Sequence, residues 1–454
     1  MLSFGYSIVG FLIAIAILVT VHEFGHYWVA KKLGVKVLKF SVGFGKPLWK
    51  KVAGKDNTEY VIAAIPLGGY VKMLGEGDDD FNEQESHRAF DNQALWKRFL
   101  IVLAGPMINF LFAILLYAGL QMLPVETVKP IFGDIPEESL LAKAGVEPGD
   151  RLVKLDGRNV DYFSQLQDLY IFNQIIRQDS LQLEVERDGG RFNVDVSLQD
   201  VSIRVINPGI LSQHIGLRGV MPKATPVVGR LVPDFPAKLA GLNEGDKIRK
   251  IDSVAIDSWE DIVRLIRAAG ESATTFTVER NKELMELVIT PKMATVGEEK
   301  VPQIGIYPKV QDIPDEFLMT HQNSFFQAIG KAVEQTWLMS VVTLRMLGKM
   351  LTLEASPKNV SGPITIAQVT GDAIQVSFSY YINILALISI SLGVMNLLPI
   401  PMLDGGHLLF YTLEAVAGKP LSEQWQLFGQ KIGLVLLGSL MLLAFYNDIF
   451  RLLS

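Results

Sequence analysis

His22, Glu23 and His26 stand in the order His-Glu-Phe-Gly-His. Histidines four residues apart share one face of a helix, about 6 Å apart along its axis. That spacing suits two nitrogen ligands on one zinc ion, with the adjacent glutamate as a general base rather than a ligand. The sequence has no cysteine, so thiolate ligands, disulfides and thiol catalysis are excluded. A catalytic zinc needs a third protein ligand and keeps its fourth position for water. A third histidine six residues after His26 would supply it in one known motif, but that position is Lys32. The other histidines are His87, His214, His321 and His407. The best source of a third ligand is the segment Asn-Leu-Leu-Pro-Ile-Pro-Met-Leu-Asp-Gly-Gly-His at 396–407. There Asp404 follows an apolar run, Pro399 and Pro401 break any helix, and Gly405 and Gly406 allow close backbone packing. Asp404 is the expected ligand, and His407 is the neighbour to test against it.

The elements that must carry these residues are apolar. Hydrophobic residues make up 49% of the 454, charged residues only 20%, and mean hydropathy is +0.28, which indicates a membrane class. The net charge of −6 gives no basic footprint for nucleic acid. Apolar runs span 4–21, 99–123, 380–403 and 432–445. Each is near the length of about 20 helical residues needed to cross a bilayer. The first reads as a retained span rather than a cleaved leader, since no basic residue precedes it and no small-residue cleavage site follows. Ionisable residues at the end of such a helix are costly in lipid and mark function more often than interfacial snorkelling. His22 would lie about 27 Å along a helix starting near Phe4, towards one face of a core about 30 Å thick.

Lys31, Lys32, Lys36, Lys39, Lys46, Lys50, Lys51 and Lys55 crowd the stretch after the first run, which makes that side cytoplasmic. The N-terminus and residues 125–375 then lie outside. Asp404 reaches the depth of His22 only if no further span intervenes. Ser324–Leu351 is therefore read as an amphipathic helix on the membrane surface, with Ile329, Val333, Trp337, Val341 and Leu344 on one side.

The outer region contains a repeat. Residues 144–156 (AGVEPGDRLVKLD) match 240–252 (AGLNEGDKIRKID) at six of thirteen positions. In each, a Gly-Asp turn leads into a short alternating strand. The pattern resembles PDZ domains of bacterial proteases, which implies addition of an extended peptide or a peptide terminus to a sheet edge.

HEFGH in the first run, Gly105-Pro106-Met107-Ile108-Asn109 in the second and NxxPxPxLDGG in the third together resemble the site-2 protease family. The resemblance covers essentially the whole chain. It implies a multi-pass α-helical membrane protein of four transmembrane helices, with two tandem β-rich PDZ domains inserted between the second and third spans. The implied bounds are 1–30, 98–124, 378–404 and 430–450 for the spans and 31–97 for a cytoplasmic, membrane-associated β segment. They are 125–205 and 220–293 for the PDZ domains and 320–355 for the surface helix. The implied activity is zinc-dependent intramembrane proteolysis in the bacterial inner membrane, with the site near the cytoplasmic face and the PDZ domains periplasmic. Implied substrates are single-span membrane proteins already trimmed outside, namely an anti-sigma factor and remnant signal peptides. His22, His26 and Asp404 would bind Zn2+, and Glu23 would be catalytic. Asn396, Pro399 and the corner Gly43-Phe44-Gly45 would contact substrate. The strand-like Tyr60–Ile65 would either receive an unwound substrate or form a hairpin buried on the helices. Two other classes fit parts of the pattern: a PDZ scaffold with a structural zinc, and a metal transporter. The transporter reading is weakened by the want of further intramembrane carboxylates.

Overall fold

A computed structural model describes residues 2–75, 83–163, 168–177, 179–199, 201, 210–296 and 299–453. The expected end of the first β-rich unit, at 205, lies outside them. Two long apolar helices come first: α1 (Leu2–Lys32) and α2 (Leu95–Gln121). Between them run two long antiparallel strands, β1 (Val37–Ala53) and β2 (Thr58–Met73). Gly43 and Gly45, at φ +91° and +88°, bend β1 where a side-chain-bearing residue would be strained. The bend lets 39–42 pair on both sides, with 59–62 on one flank and 69–72 on the other. The result is a small four-stranded sheet whose edges are 47–53 and 69–73. The strand expected at Tyr60–Ile65 is its second member.

Beyond α2 the chain forms two β-rich units. The first contains the one-turn helix α3 (Leu140–Lys143), the helix α4 (Asp168–Arg177) and four antiparallel strands in the spatial order 158–159, 151–155, 180–187, 190–197. The second has the one-turn helix α5 (Pro236–Leu239), the helix α6 (Trp259–Ala269) and the same succession, 254–255, 247–251, 274–280, 283–289, extended by further strands. The sequence repeat is thus a structural duplication. Each copy encloses its own apolar core, around Leu152, Leu181 and Leu183 in one and Ile248, Ile262 and Phe276 in the other.

The repeated Gly-Asp turn has a physical cause. Arg187 donates two hydrogen bonds to Asp150 and one to the Gly145 carbonyl, and Arg280 does the same to Asp246 and Gly241. Backbone amides at Glu147 and Asn243 complete each carboxylate. The helix α7 (Phe325–Leu351) follows and packs Ala328, Ala332 and Thr336 inward. It lies between α2 and the first unit, bound to the latter through Arg158–Glu334 and Arg345–Asn173. It is not among the helices long and apolar enough to cross a membrane.

Three elements complete the bundle: α8 (Pro363–Val376), α9 (Phe378–Leu397) and α10 (Asp404–Ala417), before the last helix α11 (Glu423–Leu453). α8 is absent from the sequence reading. It packs along the first half of α1, with Gly371 against Ser7 and Gly10 against Thr370. Asp448 of α11 caps it, accepting from the amides of Gly362, Ile364 and Thr365. The third apolar helix ends at Leu397, not 404, because residues before Pro399 and Pro401 cannot hold helical backbone. The fourth runs longer than the expected 430–450. Among the described residues, four helices are long and apolar enough to cross a membrane: 7–32, 95–121, 378–397 and 424–452. Their outward faces are apolar, with Leu115 62% and Leu442 73% exposed, as expected of a bundle whose solvent is lipid.

Burial opposes ionisation of Asp150 and Asp246, yet their arginine and amide hydrogen bonds outweigh it and hold both carboxyls below the usual range. A depressed folded-state pKa contributes stability that is full above the unfolded value of about 3.9 and lost as pH falls through the folded one. Acid should therefore loosen both units, and Asp246→Asn should weaken the second unit at neutral pH while flattening its acid response. Hydrogen exchange on the full chain at pH 7 and pH 3 reads both effects.

Candidate active site

α1 places His22 and His26 one turn apart and buried. Their Nε2 atoms are 3.2 Å apart. Asp404, the first residue of α10, brings Oδ2 to 3.1 Å from His22 Nε2 and 3.5 Å from His26 Nε2. Among the described residues these three form the one group of His, Asp or Glu side chains able to hold a metal. His407 lies one turn beyond Asp404, beside Phe410 and Tyr411, and is outside that group.

Backbone contact makes the convergence possible. A Cβ on Gly25 would lie 2.4 Å from the Ala104 carbonyl, and one on Gly105 would lie 2.2 Å from His26 Nε2. α1 and α2 therefore meet backbone to backbone at Gly25 and leave space over Gly105 for the imidazoles, the close approach that small residues allow in apolar bundles. Pro106 interrupts the amide ladder of α2 at this level. His26 Nδ1 lies 2.9 Å from the Ile101 carbonyl oxygen. A carbonyl only accepts, so Nδ1 carries the proton and Nε2 turns its lone pair to the cluster. Two ring nitrogens and a carboxylate oxygen then meet in the interior, and Asp404 Oδ2 is buried with no hydrogen bond of its own. Such a set of convergent acceptors is what a cation would satisfy. The residues present fit a tetrahedral metal held by two histidines and one carboxylate.

Asp404 is held from several sides. A Cβ on Gly405 would strike the Leu398 carbonyl, one on Gly406 that of Ile400, and one on Gly433 of α11 that of Pro401. Met402 takes φ +91°, a strained value for a residue with a side chain, at the turn that delivers Asp404. Arg98 of α2 pairs with Glu414 of α10 at 2.9 Å and lies over the Tyr411 ring. This clamp carried no sequence signal, since its partners are 316 residues apart.

Glu23 sits half-buried beside the histidines. The Val71 amide, on the sheet edge 69–73, faces its carboxylate. A Cβ on Gly69 would lie 3.3 Å from Glu23 Cγ, so the strand passes directly over the site. At the Gly43-Phe44-Gly45 corner, Phe44 stacks on Tyr70 of the same edge at 6.2 Å and is partly exposed. Asn396 lies in the last turn of α9, and Pro399 is exposed in the turn leading to Asp404. Asn109 places its amide nitrogen 3.1 Å from His22 Nδ1.

The bundle, the crossing and the His-Glu-His face define a membrane-embedded peptidase. The model of peptidase family M50 matches residues 10–440, and the chain belongs to that family. The chain is 39% identical over 454 residues to the regulator of sigma-E protease RseP of Escherichia coli K12, covering 100% of both. It is 38% identical over 456 residues to the regulator of sigma E protease of Haemophilus influenzae, covering 99% and 100%. It is also 38% identical over 456 residues to protease RseP of Yersinia pestis, covering 100% of each.

Gly105→Ala should abolish metal binding, because the added methyl takes the space of the His26 ring. Metal content of the purified variant checks this, with Gly119→Ala, whose Cβ meets nothing within 4 Å, as the neutral control on the same helix.

Proposed function

We propose that this chain is an intramembrane zinc metalloendopeptidase that cleaves single-span membrane proteins within or near their spans. The convergence of His22, His26 and Asp404, with Glu23 alongside, carries the reading. The family's dependence on zinc agrees with that donor set. Bound there, zinc would supply an acidified water and a Lewis acid for the scissile carbonyl. Glu23 takes the proton from the attacking water and later gives it to the leaving amine. His22, His26 and Asp404 hold the metal. The apolar helices keep bulk water out, which strengthens every charge interaction inside.

A substrate helix hides its carbonyls in its own hydrogen bonds, so it must unwind before cleavage. The edge 69–73, beside Glu23, is the element we assign to receive the unwound segment by strand addition. Gly43, Phe44 and Gly45 would shape that edge, and Asn396 and Pro399 would line the opposite side. The relatives' names, which specify regulation of sigma-E, support an anti-sigma factor as one substrate, with remnant signal peptides as another.

The two β-rich units are assigned as PDZ domains. In the second, a cavity of about 200 Å³ lies between α6 and residues 301–307, lined by Trp259, Ile262, Ile266, Gly305 and Ile306, in keeping with capture of a peptide end. Placed outside the inner membrane by the lysines that follow α1, the pair would exclude substrates still carrying bulky outer domains.

Glu23→Gln should keep zinc and lose cleavage of a single-span reporter by about 10²–10⁴-fold, the usual share of general acid–base catalysis. Cleavage at the unmutated rate would leave only a structural zinc. Zinc content should collapse in Asp404→Ala and persist in His407→Ala, and the reverse would reassign the third ligand.

A further inference from the structure

We infer that Asn109 is a positioning residue for the metal centre. Its side-chain oxygen accepts from His22 Nδ1–H and so fixes the tautomer whose Nε2 lone pair faces Asp404. This rests on the assignment of His22, His26 and Asp404 as ligands. Asn109 is fully buried, the fifteenth residue of the apolar helix that starts at Leu95, and one end of its amide faces His22 Nδ1 at 3.1 Å.

Two arrangements satisfy that contact. In the first, the amide nitrogen donates to a bare Nδ1. His22 then carries its proton on Nε2, pointed at Asp404 Oδ2 and His26 Nε2, and a protonated nitrogen cannot ligate a metal. The other end of the amide is buried with no partner in either arrangement. In the second, the amide is turned by half a rotation, which leaves its atoms in the same places. The oxygen accepts from Nδ1–H, and Nε2 is free to ligate. Ligand chemistry decides between them, and only the second builds a metal site. His26 follows the same rule, its Nδ1–H held by the Ile101 carbonyl. α2 thus supplies an acceptor to each histidine from positions eight residues apart, close to two helical turns. Outer hydrogen bonds of this kind orient metal-bound imidazoles generally.

The backbone at Asn109 is anchored without its side chain. Ser389 Oγ of α9, itself fully buried, donates to the Asn109 carbonyl at 2.8 Å. Substitution of the amide therefore changes the acceptor and leaves the α2–α9 contact in place.

The test is zinc affinity of the full-length protein in detergent, read by chelator competition, with the ligand-field spectrum of the cobalt-substituted form as a second readout. Asn109→Asp, which only accepts when ionised, should hold zinc at least as tightly as the unmutated protein and keep its cobalt spectrum. Asn109→Leu should weaken zinc about 10- to 100-fold and shift the spectrum, while the metal-free protein melts as before. An unchanged affinity in Asn109→Leu overturns the inference, whether or not its metal-free melting falls. So does an Asp variant as weak as the Leu variant, because the amide's donor would then be the working end. Zinc retained in His22→Ala would instead count against the ligand assignment itself.

Discussion

The site depends on one contact: the backbones of α1 and α2 touching where Gly25 meets the Ala104 carbonyl, beside Gly105, whose missing side chain leaves room for the His26 and His22 rings. A helix pair separated by ordinary side chains lies 8–10 Å apart, axis to axis. Here neither residue has room for a Cβ. The contact sets the depth at which the histidines sit, presses His26 onto the Ile101 carbonyl and brings Asn109 to His22. Two acceptors that orient imidazoles and the two imidazoles themselves thus come from a single crossing. Asp404 is delivered separately, by a turn too tight for side chains at 405 and 406 and strained at Met402. Rigidity on both sides is what a metal site requires, since a displacement of an ångström spoils its geometry.

Local chemistry was legible in the sequence. The His-Glu-His spacing on an apolar run names a metal face, and Pro399 and Pro401 mark a break at which Asp404 is presented. The internal repeat was legible too, because the buried carboxylate at Asp150 and Asp246 demands the same turn and a distant arginine in both copies. What remained hidden is tertiary. α8 is a short segment interrupted by Gln368, Gly371 and Asp372, too brief to read as a span, and only its packing on α1 makes it part of the bundle. Arg98 and Glu414 are ordinary charges until α10 folds back on α2. Asn109 did leave a trace: a polar residue one helical turn after Gly105, hence on the face that meets α1.

The sheet between α1 and α2 shows how β structure is placed beside a helical bundle. Backbone groups unpaired in lipid are costly, so an edge must be paired, covered or near water. Residues 39–42 are paired on both sides. On the edge 69–73, the Val71 amide is directed at Glu23. Strand and carboxylate are thereby linked, and in the proposed mechanism a substrate that pairs with this edge is set in register with Glu23.

Asp448, near the end of the chain, caps α8, and α8 lies along the start of α1. His22 and His26 are made early and Asp404 late. A chain still on the ribosome holds two of the three groups proposed to bind the metal, and its first helix lacks the neighbour α8. The order of synthesis thus leaves the cluster of His22, His26 and Asp404 incomplete until α10 has been made, and α1 without its capped neighbour until α11 has followed.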